Sequence, residues 1–275
     1  MRVLRPPNGS LAVAITSHTE NRKCTLLRQV LLSIATWPMQ TSITIYTNNR
    51  GATRKCVGTT ATVSQVTLPP TRQFKLAHAY KSDWTRLVNS AHPPHSFAYL
   101  EDDMIVSARA FTSWYRDSEL LRKNGYAAQG YIRAFQRFEY SHGTRVLVDA
   151  SAHVKVDPAK LLNISGIYFA AMPNPYCAVY FGFHEQVRSW ASDKRFWALH
   201  NDKYGVREFA ANGIHFAAGL HKVVVPVYLS RSGGWRLSNT GLIHHSSNKY
   251  AALKDSRYGT IAVNDVFTPS RDTSW

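Results

Sequence analysis

Short apolar runs that end in small polar residues alternate with helical segments through roughly the first 125 residues, and few folds accept that pattern. LAVAITS (Leu11 to Ser17) reads as a buried parallel strand. In the following NRKCTLLRQVLLSIATW, Leu26, Leu27, Val30, Leu31 and Ile34 recur at helical spacing. Thr19 or Asn21 can cap that helix and Pro38 stops it. SITIYTNN (Ser42 to Asn49) is a second strand and ATVSQVTLPP a third. A helix from about Phe74 to Ala91 closes at His92-Pro93-Pro94, SFAYL (Ser96 to Leu100) is a fourth strand, and a helix spans Ala108 to Lys123. This order predicts an α/β fold with a mostly parallel sheet and helices on both faces. Ligands of such sheets bind beyond the carboxyl ends of the strands. That rule marks Thr16, Ser17 and His18, Thr47, Asn48 and Asn49, and Glu101, Asp102 and Asp103.

The second half carries a different signal. Tyr126 to Val156 reads as extended segments with a hairpin turn near His142-Gly143. Further strands are expected at Ile167 to Met172, Tyr176 to Phe183 and in HKVVVPVYL, with a helix from about Arg207 to Ala218. The tail, Ser230 to Trp275, is rich in Ser, Gly, Asn and Arg. No repeat or linker interrupts the 275 residues, so a single domain is expected, with halves at about 11–125 and 126–245 and a tail at 246–275.

Composition narrows the classes. With 44% hydrophobic residues the chain can bury a core, and no run of about 18 apolar residues could span a membrane. The start, MRVLRPPNGS, lacks a signal-peptide core, so a soluble, cytoplasmic protein is the expectation. Cys24, Cys56 and Cys177 are distant and odd in number, which reads as reduced thiols rather than a disulfide framework or zinc site. A net charge of +16 favours an anionic partner: a nucleoside diphosphate, an anionic polysaccharide or membrane surface, or nucleic acid.

The chemistry concentrates in FAYLEDDMIV, where an apolar strand runs into three consecutive carboxylates. Carboxylates crowded together repel, and a bound divalent cation relieves that repulsion. Oxygen ligands suit Mg²⁺ or Mn²⁺, which share their coordination with substrate phosphates. LEDD after a strand and before the aromatic-rich helix AFTSWYRDSELL resembles the acidic Asp-any-Asp motif of nucleotide-sugar-dependent glycosyltransferases with the GT-A, Rossmann-like fold. The Glu-Asp-Asp form is similar to that of the N-acetylglucosaminyltransferases that begin complex N-glycans. The resemblance implies Asp103 as the direct metal ligand, with Asp102 and Glu101 facing the donor. It further implies a metal-dependent transfer from a UDP-sugar to a carbohydrate or glycolipid acceptor, a donor half followed by an acceptor half, and a small antiparallel subsheet on the acceptor side.

Order and spacing extend the likeness. In many inverting GT-A enzymes a Glu-Asp pair opens a helix, and Ala-Gly and then a Val-rich strand ending in Pro follow. REFAANGIHFAAGLHKVVVPV is similar from Ala218-Gly219 through Pro226. Counting back, the resemblance makes Glu208 the catalytic base, although the pair here is Arg207-Glu208; Asp202 is the reserve. A His often follows as a further metal ligand, which implicates one of His244 and His245 in GLIHHSS. Thr16, Ser17, His18, Arg22, Asn48 and Arg86 would hold the nucleotide, and Trp235, between Gly234 and Arg236, is the candidate acceptor platform.

Rivals are thinner. A sugar-nucleotide pyrophosphorylase would need a Gly-rich loop where ITSHTENRK stands, and no Walker-type loop is present. A metal-dependent phosphatase, nuclease or nucleotidyltransferase would want more clustered acids than 17 scattered ones supply. A basic nucleic-acid- or polyanion-binding module is the non-enzymatic alternative, but no nucleic-acid motif is visible and nucleic acid is not an expected partner.

Overall fold

The computed structural model describes residues 9–17, 23–67, 75–172, 174, 176–198, 222–253 and 258–268. From the N-terminus run β1 (Ser10–Ser17), α1 (Lys23–Ala35), β2 (Gln40–Thr47), α2 (Arg50–Val57), β3 (Thr62–Gln65), α3 (Tyr80–Val88), β4 (Ser96–Glu101), β5 (Met104–Ile105) and α4 (Ala108–Lys123). Then come β6 (Ile132–Arg133), β7 (Gln136–Ser141), β8 (Thr144–Leu147), β9 (Val154–Lys155), β10 (Leu162–Ile164), β11 (Ile167–Ala171) and β12 (Val179–Phe183). α5 (His184–Ala191), α6 (Lys194–Trp197), β13 (Val223–Leu229), β14 (Trp235–Leu237), β15 (Leu242–His245), β16 (Ile261–Ala262) and β17 (Phe267–Thr268) complete the order. The fold is mixed α/β, in two compact units: Met1–Ala108 with Ala178–Ala218, and Arg109–Cys177 with Gly219–Trp275. These units do not coincide with halves meeting near residue 125, because β12 returns to pair antiparallel with β4 in the first unit.

The first unit is built on a sheet of order β12-β4-β1-β2-β3. β1 pairs parallel with both β2 and β4, and β2 with β3, as the alternation of strands and helices predicts. Every residue of β1 from Leu11 to Ser17 is buried, so the strand is apolar along its length rather than alternating. Helices cover both faces. Tyr99 of β4 stacks on Tyr180 of β12 and packs at 4.6 Å against Tyr80 of α3, while Trp84 of α3 meets Phe97. Phe181, one residue along β12 and so on the opposite face, meets Trp37 just beyond α1 at 5.5 Å.

A helix and a disulfide of this unit are among the features that the sequence does not show. α2 is a helix where no helix is expected; Asn49 caps it, its side chain accepting from the Ala52 N–H at 3.0 Å. Cys24 and Cys56 are joined by a disulfide between α1 and α2, with Cα atoms 5.2 Å apart, which corrects the expectation of three reduced thiols; Cys177 is buried and takes no part in the bridge. The spacing carries no sign of the pairing because the packing of α1 on α2 brings the two together. Arg28 of α1 donates to the Cys56 carbonyl beside the bridge at 2.9 Å.

The second unit is largely antiparallel. β10-β11-β13-β14 form one sheet, to which β6 adds parallel to β13; β16-β8-β7-β15 form a second run, and β9 pairs with β17. β7 and β8 are the hairpin expected at His142-Gly143, whose φ values of 48° and 79° are the left-handed pair a two-residue turn requires. Val223, Val225, Val227, Leu237 and Leu242 share one core cluster, and Val224, on the opposite side of β13, shares another with Leu121, Ile164 and Phe169. Arg133 is buried and reaches Asp117 and the carbonyls of Ala134 and Thr240, and burial lowers its pKa to about 10.

Candidate functional site

The sheet order of the first unit reverses at β1: β2 and β3 lie on one side, β4 on the other. Such a switch point leaves a crevice outside the carboxyl ends of the two strands, the place where open parallel sheets bind ligands. β1 ends there in Thr16-Ser17 and β4 runs into Glu101-Asp102-Asp103, with Thr16 beside Glu101 in register. Successive strand residues face opposite ways, and the two that end β1 do so here. Thr16 Oγ1 meets the Tyr99 hydroxyl at 3.0 Å on the α3 face, whereas Ser17 Oγ donates to Asp102 Oδ2 at 2.7 Å. Both β1 residues and both Glu101 and Asp102 are buried; Asp103 is half-exposed.

Asp102 and Asp103 form a tight turn between β4 and β5, and it is held at both ends. The Glu101 N–H donates to the Ala178 carbonyl at 3.2 Å, and Ala178 adopts φ 53°, an uncommon conformation for a residue with a side chain. At the other end the Val106 carbonyl accepts from Ser33 Oγ and from Trp37 Nε1. The acidic turn is therefore anchored by β1, β12 and the end of α1 rather than being a loose acidic loop.

Around it the candidate donor residues take unlike places. Asn48, half-buried, follows β2 directly. Arg86 lies in the last turn of α3, exposed and paired with Asp83 at 3.2 Å, and Asp83 also accepts from the Tyr46 hydroxyl at 2.6 Å. Burial, and then the bond to Asp83, push the Tyr46 phenol far up, so it stays a donor. Arg86 thus belongs to a Tyr46–Asp83–Arg86 chain on α3. Tyr99, Tyr46 and Asp83 were not singled out in the sequence; the alternation within FAYLE, which sets Tyr99 on the face of Glu101, is the signal that could have found the first. His18, Arg22, Asp202 and Glu208 lie outside the described residues.

In the second unit the two histidines at the end of β15 differ. His245 is buried, with Nδ1 at 2.5 Å from Glu139 Oε1 and Nε2 at 3.0 Å from Ser247 Oγ, so both ring nitrogens are engaged. The other Glu139 oxygen accepts from the Ala251 N–H. His244 points to the other face of β15, stacked on Phe138 at 5.2 Å and edge-on to Tyr140. Burial lowers its pKa, against a bond to Asn248, which leaves a neutral imidazole at neutral pH. Trp235 is half-buried in β14 and packs edge-on against Tyr168 at 5.1 Å, part of the core wall as much as of the surface.

Among the described residues no three or more His, Cys, Asp or Glu side chains gather where they could hold a metal ion. No helix of the described residues is long and apolar enough to cross a membrane. No protein-family model matches the sequence, and no curated protein is similar to it. Of solved structures, the crystal structure of S. aureus TarS 1-349 is similar with a TM-score of 0.38 and 6% identity, over 86% of this chain and 58% of that one. The chain thus spans less than two thirds of that structure.

Proposed function

We propose that this protein is a glycosyltransferase of the GT-A type, moving a sugar from a UDP-linked donor to a hydroxyl of a glycan, lipid-linked or polysaccharide acceptor. The observation that carries the reading is the Ser17–Asp102 bond at the point where the sheet order reverses, which fixes an acidic turn in the crevice where such sheets bind nucleotides. The donor set suits Mg²⁺ or Mn²⁺, since these ions take one or two carboxylates and complete their shell from phosphate oxygens and water instead of a closed protein cage. Asp103, with Asp102 oriented behind it by Ser17, would hold the ion, which when bound neutralises charge on the diphosphate. Thr16 and Asn48 line the same strand ends and would meet the nucleoside.

Glu208 is proposed as the base. It accepts the proton of the acceptor hydroxyl as that oxygen bonds to the anomeric carbon and the bond from that carbon to the diphosphate oxygen breaks, inverting the centre. Asp202 is the reserve for that role. The +16 charge suits an anionic acceptor or a peripheral contact with an anionic membrane surface. The test is release of UDP from a panel of UDP-sugars with Mn²⁺, with and without mono- and oligosaccharide acceptors. Acceptor-stimulated release is expected, lowered about 100-fold or more in Glu208→Gln with UDP affinity unchanged. Absence of turnover with every donor and acceptor would remove the reading.

A further inference from the structure

The second unit holds a cleft of about 260 Å³ that none of the described candidate residues lines. Its polar wall is made by Gln136, Asp149 and Asn174, its rim by Ser151 and His153, and Met172 contributes apolar surface. The wall is fixed from behind. Arg137 holds Asp149 through Nε at 2.8 Å and Nη2 at 2.5 Å, and its guanidinium lies over the Tyr176 ring at 4.7 Å. The Asn174 carboxamide donates to the Asp149 carbonyl at 3.3 Å and accepts from the Tyr176 N–H at 3.1 Å, while Gln136 Nε2 donates to the carbonyls of Phe135 and Asn174. Ser151 and His153 are exposed at the mouth.

The lining chemistry selects an occupant. An anion would face the Asp149 carboxylate. An amine would find that charge already matched by Arg137, and a divalent cation would find one carboxylate among the described residues. A nucleobase would want an aromatic face, and among the described residues no Phe, Tyr or Trp lines the cleft. A neutral polyol fits: hydroxyls donate to the carboxylate and exchange bonds with the carboxamides, while a C–H face lies on Met172. The volume falls below the ~300–1,000 Å³ of sites for drug-sized ligands, which points to one ring. We infer that this cleft binds a single neutral pyranose ring. The binding itself stands apart from the transferase reading; only the assignment of that ring to the acceptor or product rests on it.

The experiment is saturation-transfer NMR and calorimetry on the full chain, in EDTA and without nucleotide, with methyl glucoside, methyl galactoside and methyl N-acetylglucosaminide at millimolar concentrations. At least one glycoside is expected to bind saturably. Asn174→Ala should weaken it about tenfold, the loss of a hydrogen bond in a prearranged wall. Ser151→Trp, at an exposed rim position that leaves the wall intact, should abolish binding with the melting curve unchanged. The inference is overturned if no glycoside binds, if Ser151→Trp leaves binding intact, or if sulfate or methylammonium occupies the cleft in preference to the sugars. Because neither metal nor nucleotide is present, a negative result here is separate from a failure of the donor site.

Discussion

At the scale of single residues, the acidic turn depends on partners as much as on its own carboxylates. Ser17 is fully buried and its hydroxyl donates a hydrogen bond to Asp102. Ser17→Ala leaves a buried carboxylate oxygen one donor short, which costs about 1–3 kcal/mol in urea denaturation and loosens the side chain that orients the turn. Ser17→Thr, which keeps the hydroxyl, should recover part of that loss. Lys81 of α3 is the other residue with a sharp expectation. Its amine is buried, donates to the Phe196 carbonyl and lies 4.7 Å from that ring, and burial lowers its pKa to about 7. An unfolded lysine titrates near ~10.4, so between about pH 7 and pH 10 the unfolded chain binds the extra proton and stability rises with pH. Below that window both states are protonated and the contribution is flat. Stability of the wild type minus that of Lys81→Met should therefore climb across this range; a flat difference would mean that the amine stays charged in the fold.

At the scale of elements, the strands and the long helices were legible because burial writes itself into their spacing. β1, β4 and β13 are near-continuous apolar runs, and α4 occupies the stretch from Ala108 to Lys123 that its periodicity predicts. α2 was not legible: RGATRKCV buries only Thr53, Cys56 and Val57, too little apolar surface to show a face, and its one sign is the cap at Asn49. α5 escaped for the same reason, with only Val187 and Trp190 buried. The Cys24–Cys56 bridge follows from α2, for without that helix nothing brings the two thiols together. It closes a segment of 32 residues, and the chain-entropy account gives about 3–4 kcal/mol for such a loop. Reducing the bridge, or replacing both cysteines by alanine, should lower the unfolding free energy measured in urea by an amount of that order, and a reductant should then have no further effect on the double variant. The half-buried setting of Trp235 was not legible either, because it follows from the pairing of β14 with β13, which lays the ring on Tyr168.

At the scale of the whole molecule, charge and sheet topology lead to one expectation. A chain of net charge +16 draws anions by a field that salt screens, so association with UDP should slow by on the order of tenfold between ~50 mM and ~500 mM NaCl. A nucleotide bound through short-range contacts at the acidic turn would keep most of its residence time over that range. The acidic motif was readable from sequence as three carboxylates after an apolar strand; that Ser17 holds Asp102 was not, because the bond joins residues 85 positions apart and depends on β1 and β4 being neighbours. The measurement that bears most directly on the proposed donor site is calorimetric titration of UDP into the protein with Mn²⁺ and again with EDTA, for wild type and Asp103→Ala. Saturable binding that requires Mn²⁺ and is lost in Asp103→Ala, with the melting curve of the variant preserved, is the predicted result. Failure of UDP, GDP, CDP and dTDP alike to bind the wild type would contradict it and leave the turn a structural feature of a basic binding protein.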